Sequence, residues 1–242
     1  MIVLSVGMPR AGSGWYYNLT NSIMLASGAQ DAHTIRQRFH LESVLSEVNC
    51  NIGALTPRRL LLVAIPALMG NSFVIKAHAG PTPLANSLMR IGLIRTTYIY
   101  RDPRDAMLSA YENGQRARKA GRTNAFSPLV DFESALNFIL EYLQIWEAWA
   151  SRQGVLHSRY ESLLENYDME TKRLCTFLNV NKEHRDLQPI IERYRPGTVT
   201  TNGIGLHFSK GVVGRFRLYW SEEQQKKLQT VLRPYLVHMG YE

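Results

Sequence analysis

The chain has 242 residues, of which 45% are hydrophobic and 20% are charged, as in an ordinary globular protein. The formal net charge of +8 favours an anionic ligand or surface, but no nucleic-acid-binding motif accompanies it. No stretch approaches the roughly 18 consecutive apolar residues of a membrane span, and no signal peptide is expected. Cys50 and Cys175 lack the spacing of metal ligands, so we expect a reducing, cytoplasmic location.

The N-terminal segment is the most informative part of the sequence. An apolar run, Met1–Gly7, leads into a Gly/Ser-rich turn and then a helical pattern, which predicts a strand, a tight loop and a helix. In that arrangement several backbone N–H groups point at one spot, which binds an anion and most often a phosphate. Gly12 and Gly14 allow a close approach, Ser13 adds a hydroxyl, and Arg10 adds a positive charge.

Two common phosphate loops do not fit this segment. Gly7 and Gly12 have the spacing of the loop that binds nucleoside triphosphates, but Ser13 and Gly14 replace its Lys-Ser/Thr pair. The dinucleotide-binding fingerprint needs a third glycine where Tyr17 stands. The sequence therefore predicts a phosphate site without a metal.

Strands and helices alternate along the rest of the chain. Strands are predicted at 72–76, 95–100 and 155–160, and helices at 13–26, 83–91, 103–112, 131–151 and 161–178, with two or three more helices within 31–70. A loop over 112–128 carries the basic residues Arg116, Arg118, Lys119 and Arg122, which form either a solvated surface or a mobile lid. The alternation predicts one α/β domain over 1–242, with a mostly parallel β-sheet flanked by helices.

The predicted strands end in residues that suit a phosphorylated ligand. In such sheets, ligands bind beyond the C-terminal ends of the strands. One strand leads to Arg10, the second ends in Lys76-Ala77-His78, the third is followed by Arg101, and the last ends at Tyr160. A cluster of cations beside an aromatic ring matches what a multiply phosphorylated adenosine ligand needs.

These strand ends belong to five motifs, which are, in chain order, Pro9–Trp15, Lys76–His78, Tyr100–Ser109, Tyr160–Glu161 and Ser209–Gly214. They resemble the motifs of sulfotransferases that use 3′-phosphoadenosine 5′-phosphosulfate (PAPS), nearest to the cytosolic small-molecule branch. The 3′-phosphate motif, R-[ND]-P-[KR]-D-x-x-x-S, is the most specific match. The resemblance implies a P-loop-like sulfotransferase fold, PAPS as co-substrate, adenosine 3′,5′-bisphosphate (PAP) as product, and no metal.

The resemblance also implies a role for each matched residue. Those expected to bind the nucleotide are Arg10, Ala11, Gly12, Ser13, Gly14 and Trp15 around the 5′-phosphate, Arg101, Ser109, Ser209, Lys210 and Gly211 around the 3′-phosphate, and Tyr160 at the adenine. Arg10 stands where the family often has a lysine near the oxygen that bridges sulfate and phosphate, and Ser209 replaces the usual arginine.

Three residues are expected to take part in catalysis: Arg10, Lys76 and His78. His78 is the candidate base, because the attacking hydroxyl must lose a proton near neutral pH, where imidazole titrates. Lys76 would contact the sulfuryl group or the 5′-phosphate. By analogy, the acceptor is a small alcohol or phenol.

Two alternatives stay open at this point, a P-loop nucleotide kinase and a non-catalytic relative that binds the nucleotide. The oligomeric state is also open, because the stretch Arg217–Lys226 does not match the dimer segment of the cytosolic branch.

Overall fold

The computed structural model describes residues 1–180, 186–198 and 212–242. Four strands form one all-parallel sheet in the order β2-β1-β3-β4: β1 (Ile2–Gly7), β2 (Phe73–Ala77), β3 (Ile94–Tyr100) and β4 (Val155–Arg159). Strand β1 pairs with β2 on one side and β3 on the other, and Ser5 lies opposite both Lys76 and Thr97. All six residues of β1 are buried, which explains why the strand is almost continuously apolar.

Helices cover both faces of this sheet. In the described residues they are α1 (Ser13–Ala26), α2 (Ala32–Arg38), α3 (Pro57–Leu68), α4 (Pro83–Arg90), α5 (Pro103–Lys119), α6 (Phe132–Ala150), α7 (Tyr160–Glu165), α8 (Tyr167–Leu178), α9 (Leu187–Arg193), α10 (Phe216–Tyr219) and α11 (Glu222–Met239). Thr56, Thr82 and Asp102 each cap a helix that begins with proline. None of the described helices is both long and apolar enough to cross a membrane.

The alternation of side chains along β1 separates two hydrophobic clusters. Ile2, Leu4 and Val6 pack into one cluster, which also contains the buried Trp149 of α6. Val3 packs into the other, with residues of α1, α8 and α9. Successive residues of a strand point to opposite faces, so each face of the sheet has its own core.

Two helix boundaries differ from the sequence prediction. The helix predicted to end at 112 continues to Lys119, so Arg116 and Arg118 are helical rather than in a loop. Gly114 lowers the helix propensity of this stretch, but a Cβ there would lie 2.0 Å from the carbonyl oxygen of Phe126, so the glycine allows a close contact. The helix predicted over 161–178 is two helices, α7 and α8, separated at Asn166.

Candidate active site

The C-terminal ends of the four parallel strands meet at one edge of the sheet, and the predicted site residues follow them. The loop after β1 carries Arg10, Lys76 and His78 lie at the end of β2, Arg101 follows β3, and Tyr160 follows β4. The tertiary structure therefore brings together residues from four distant parts of the chain.

The loop between β1 and α1 has an unusual backbone. Arg10 has φ 65° and Gly12 has φ 77°, so both lie in the left-handed region, which glycine occupies readily and an arginine only at a cost. A Cβ at Gly12 would lie 2.7 Å from the ring of Tyr160, so this position requires glycine. The turn leads directly into the N-terminus of α1, where the first N–H groups have no partner within the helix and favour an anion.

Trp15 lies in the core of this loop region. Its indole Nε1 donates to the carbonyl oxygen of Tyr194 at 2.9 Å, and its ring stacks on Tyr167 and meets the edge of Tyr160. Only 2% of its surface is exposed. Trp15 can therefore offer a ligand its backbone N–H, while its side chain holds α1 in place.

A hydrogen bond to the backbone of Gly7 holds His78 in one tautomer. Its Nδ1 lies 2.6 Å from the carbonyl oxygen of Gly7, which can only accept, so Nδ1 carries the hydrogen and donates it. Burial and the charge of Lys76 lower the pKa of His78 to about 4, although the hydrogen bond to Gly7 acts in the opposite direction. The ring is therefore neutral at pH 7, and no donor among the described residues occupies the lone pair of its Nε2.

Lys76 is a buried cation, with 8% of its surface exposed. Burial lowers the pKa of its ammonium group to about 8, and the charge of Arg10 contributes in the same direction. A bound anion would favour the charged ammonium form and so act against both effects. This corner of the sheet therefore favours a negatively charged ligand.

Arg101 is fixed on three sides. Its guanidinium lies over the ring of Tyr160, with 4.6 Å to the ring centroid, donates to the carbonyl oxygen of Val212 at 2.9 Å, and lies 3.5 Å from Asp105. Its buried Nε has no hydrogen-bond partner in the described part of the chain. A buried donor without a partner is costly, so this atom is available to bind a ligand.

Arg10 joins the two expected phosphate sites. Its Nε donates to Ser109 Oγ at 3.2 Å, so the phosphate loop and α5 are in direct contact. Burial lowers the pKa of Arg10 to about 10, and the nearby charges of Arg116 and Arg101 add to that effect. The sequence suggested separate phosphates for Arg10 and Ser109, whereas the structure brings their side chains together.

The comparisons with known proteins agree with this geometry. A family profile described as the sulfotransferase domain matches residues 2–240. The chain belongs to the sulfotransferase domain family. No relative among the curated proteins matches its sequence.

Two solved structures, one of them a sulfotransferase, have the same fold. Retinol dehydratase in complex with androsterone and PAP is 20% identical and superposes with a TM-score of 0.63, over 97% of this chain and 80% of that one. Mouse sulfotransferase SULT7A1 complexed with PAP is 14% identical, with a TM-score of 0.62 over 97% of this chain and 84% of that one. These likenesses confirm the sulfotransferase fold that the motifs predicted.

The late motif of the sulfotransferase family is only partly described here, because Ser209, Lys210 and Gly211 lie outside the described residues. The segment that follows them is attached to α5. Asp105 accepts hydrogen bonds from the backbone N–H groups of Gly214 at 2.6 Å and Phe216 at 3.1 Å.

Glu161 is a supporting residue that the sequence analysis named without assigning it a role. Its Oε1 accepts from the backbone N–H of Asp102 at 3.1 Å, and its Oε2 accepts from the hydroxyl of Tyr241 at 2.7 Å. It thereby joins the ends of β3 and β4 to the C-terminal segment. Its place directly after Tyr160 in the Y-E pair was the one signal in the sequence.

No group of three or more metal-ligating side chains occurs within 1–180, 186–198 and 212–242. Asp102, which could have been such a ligand, caps α5 and forms an ion pair with Arg104 at 2.8 Å.

Proposed function

We propose that this protein is an enzyme that transfers a sulfuryl group from PAPS to a hydroxyl group of a small alcohol or phenol and releases PAP. One observation carries the proposal: in a member of the sulfotransferase family, Lys76, His78, Arg101 and an anion-binding loop share one edge of the sheet. Both cysteines are buried and neither is in a disulfide bond, which supports a reducing, cytoplasmic environment.

The residues at this edge fit a nucleotide with two separate phosphate positions. The backbone from Ala11 to Trp15 would hold the 5′-phosphate at the N-terminus of α1. Arg101, through its unpartnered Nε, and Ser109 would hold the 3′-phosphate. Tyr160 would contact the adenine.

Three further residues complete the proposed nucleotide site. These are Ser209, Lys210 and Gly211, which would close over the 3′-phosphate. The attachment of the segment that follows them to Arg101 and Asp105 supports this role.

The chain supplies a base and positive charge for the transfer. When bound, PAPS supplies the sulfuryl group and a phosphate leaving group. His78 Nε2 takes the proton of the acceptor hydroxyl, which is possible at pH 7 because the ring is neutral and Nδ1 is committed to Gly7. Lys76 and Arg10 stabilise negative charge as it develops on the departing phosphate.

The two alternatives have less support. A P-loop kinase would need the Lys-Ser/Thr pair that Ser13 and Gly14 replace, and the family match is to sulfotransferases. A non-catalytic relative would not need a histidine held with a free Nε2 beside a buried lysine. Binding of Mg-ATP in preference to PAPS would revive the kinase.

Calorimetry with PAP and AMP tests the nucleotide assignment. The 3′-phosphate would make charge-assisted hydrogen bonds worth about 1.5–3 kcal/mol each, so PAP should bind at least about tenfold more tightly than AMP. Arg101→Ala should reduce this preference, and EDTA should have no effect. Equal affinity of the wild-type protein for the two nucleotides would contradict the proposal. Labelled PAPS with a panel of alcohols and phenols then tests turnover.

A further inference from the structure

A cavity lies beside Arg10, on the face of α5 that continues beyond Ser109. Its volume is about 520 Å³, a size typical of small-molecule sites. The side chains that line it include Arg10, Asn113, Arg116, Arg122, Asn124 and Phe126. Arg116 is seven residues after Ser109, which is about 10 Å along a helix. The cavity therefore extends away from the residues expected to bind the 3′-phosphate.

The wall of this cavity is held firmly against α5. The guanidinium of Arg118 donates to the carbonyl oxygens of Ser127 at 2.6 Å and Leu129 at 3.0 Å. Asn124 donates to the side chain of Asn113 at 2.7 Å, and the absence of a side chain at Gly114 lets the loop approach the helix. These contacts hold the loop against α5 and give the cavity a defined wall.

The charged side chains that line the cavity are all positive. Three arginines line it, and no carboxylate does so among the described residues. The nearby Glu112 is engaged by the guanidinium of Arg215. Arg116 and Arg122 are exposed and form no ion pair or side-chain hydrogen bond within the described part of the chain, so both guanidinium groups are available to an anionic ligand.

We propose that this cavity binds an anionic group, a carboxylate or a phosphate, carried by the sulfuryl acceptor. Arg116 and Arg122 bind the anion, because guanidinium groups recognise planar carboxylates and phosphates through paired hydrogen bonds. Phe126, whose ring lies 5.7 Å from the guanidinium carbon of Arg10, packs against the apolar part of the acceptor. This proposal rests on the proposed sulfotransferase function and narrows its acceptor class.

Calorimetry on the PAP-saturated protein tests the proposal with three matched phenols. The probes are 4-hydroxyphenylacetate, 4-hydroxybenzylphosphonate and the neutral methyl ester of the first. One or both anions should bind about tenfold more tightly than the ester, a preference reached when one charge-assisted pair forms. If the carboxylate probe binds more tightly, the acceptor's anionic group is a carboxylate; if the phosphonate probe does, that group is a phosphate.

Arg116→Met and Arg122→Met should each reduce this preference several-fold, while their affinities for the ester and for PAP stay at the wild-type values. Arg152→Met is the matched control, because Arg152 is an exposed arginine of the connection before β4 and should leave the preference intact.

Three results would overturn the proposal while leaving the sulfotransferase function standing. The first is equal binding of anions and ester to the PAP-loaded wild-type protein, and the second is no binding of any probe. The third is a loss of PAP affinity in Arg122→Met with the anion preference unchanged, which would assign the cavity to the nucleotide. Failure of the wild-type protein to bind PAP would instead contradict the proposed function itself.

Discussion

At the scale of a single residue, one hydrogen bond determines which tautomer His78 adopts. The sequence put a histidine at the end of a strand, where a buried structural histidine is an ordinary finding. The carbonyl oxygen of Gly7 fixes the hydrogen on Nδ1, and the low pKa keeps the ring neutral. Both features suit a base, because the lone pair of Nε2 stays available at pH 7.

Replacing His78 by asparagine tests the base. Turnover should fall about 10²-fold or more, since general-base catalysis typically contributes that much, while PAP affinity is retained. The wild-type rate should also fall as pH drops through the pKa of His78 in the nucleotide complex, because protonation removes the base. Bound negative charge raises that pKa above the value of about 4 in the free protein.

His40→Asn is the matched control. His40 is exposed and has φ 52°, a conformation that asparagine tolerates, so rate and fold should be unchanged. If His78→Asn keeps its fold and more than about a tenth of the wild-type rate, the base is another residue.

Lys76 gives a pH dependence of nucleotide binding. Its pKa is about 8 in the free protein, and a bound anion favours the ammonium form and raises that pKa. PAP affinity should therefore be level below about pH 8 and fall above it, by at most about tenfold per pH unit for one linked proton. Calorimetry in buffers of different ionisation enthalpy should detect proton uptake at pH 9.

Lys76→Met should abolish both the decline of PAP affinity at high pH and the proton uptake on PAP binding. Lys119→Met, at the exposed end of α5, should change neither. A decline of the same steepness in Lys76→Met would assign the proton to another group.

At the scale of elements, Asp105 connects α5 to the segment that contains Gly214 and Phe216. Its carboxylate accepts from two backbone N–H groups of that segment and also neutralises Arg101. The exposed fraction of Asp105 is 2%, so each of these partners would lose a buried acceptor if the carboxylate were removed. Asp105 is therefore a positioning residue for Arg101 and for the late motif.

Asp105→Ala should lower the free energy of unfolding by about 3 kcal/mol, because it leaves a buried charge and two donors without a partner. Hydrogen exchange at the amides of Gly214 and Phe216 should accelerate. Glu133→Ala is the control: its ion pair with Lys227 is exposed and should change stability by less than about 1 kcal/mol. Unchanged exchange at both amides would show that Asp105 does not hold the segment.

At the scale of the whole molecule, the C-terminal segment is tied to the site through Glu161. Tyr241 donates to Glu161 Oε2, while Oε1 of the same carboxylate holds the backbone at the start of α5. Arg159, at the end of β4, lies over the ring of Tyr241, with 3.9 Å to the centroid. The C-terminal residues Tyr241 and Glu242 thus lie beside the ends of β3 and β4, and Tyr241 supports both.

Tyr241→Phe should lower the free energy of unfolding by about 1–2 kcal/mol, since it removes the hydroxyl donor of Glu161 Oε2 and, among the described residues, leaves that oxygen with only Arg159 Nε, 3.5 Å away. Denaturant unfolding measures the change. Tyr235→Phe is the matched control on α11, because no side-chain hydrogen bond of Tyr235 occurs in the described residues. Equal stability of the two variants would show that the hydrogen bond to Glu161 contributes nothing.

The sequence alone determined the order of the strands along the chain, the glycine-containing turn after β1 and the family motifs. These features are local, because hydrophobic runs, glycines and short motifs each depend on residues that are close together in the sequence. The two wrong boundaries were also local. In the sequence, Gly114 indicates the end of a helix, and only its contact with Phe126 in the structure explains why glycine is needed inside α5. No residue pattern near Asn166 predicts that one helix ends and another begins there.

Only the tertiary structure decided which side chains meet. The contact between Arg10 and Ser109 joins residues 99 positions apart, and the cavity lined by Arg116 and Arg122 requires the loop after α5 to fold back on the helix. The same holds for the tautomer and pKa of His78, which depend on the carbonyl oxygen of Gly7, 71 residues away, and on burial. Burial and charge proximity are properties of the packed molecule, so no pattern within one segment of sequence contains them.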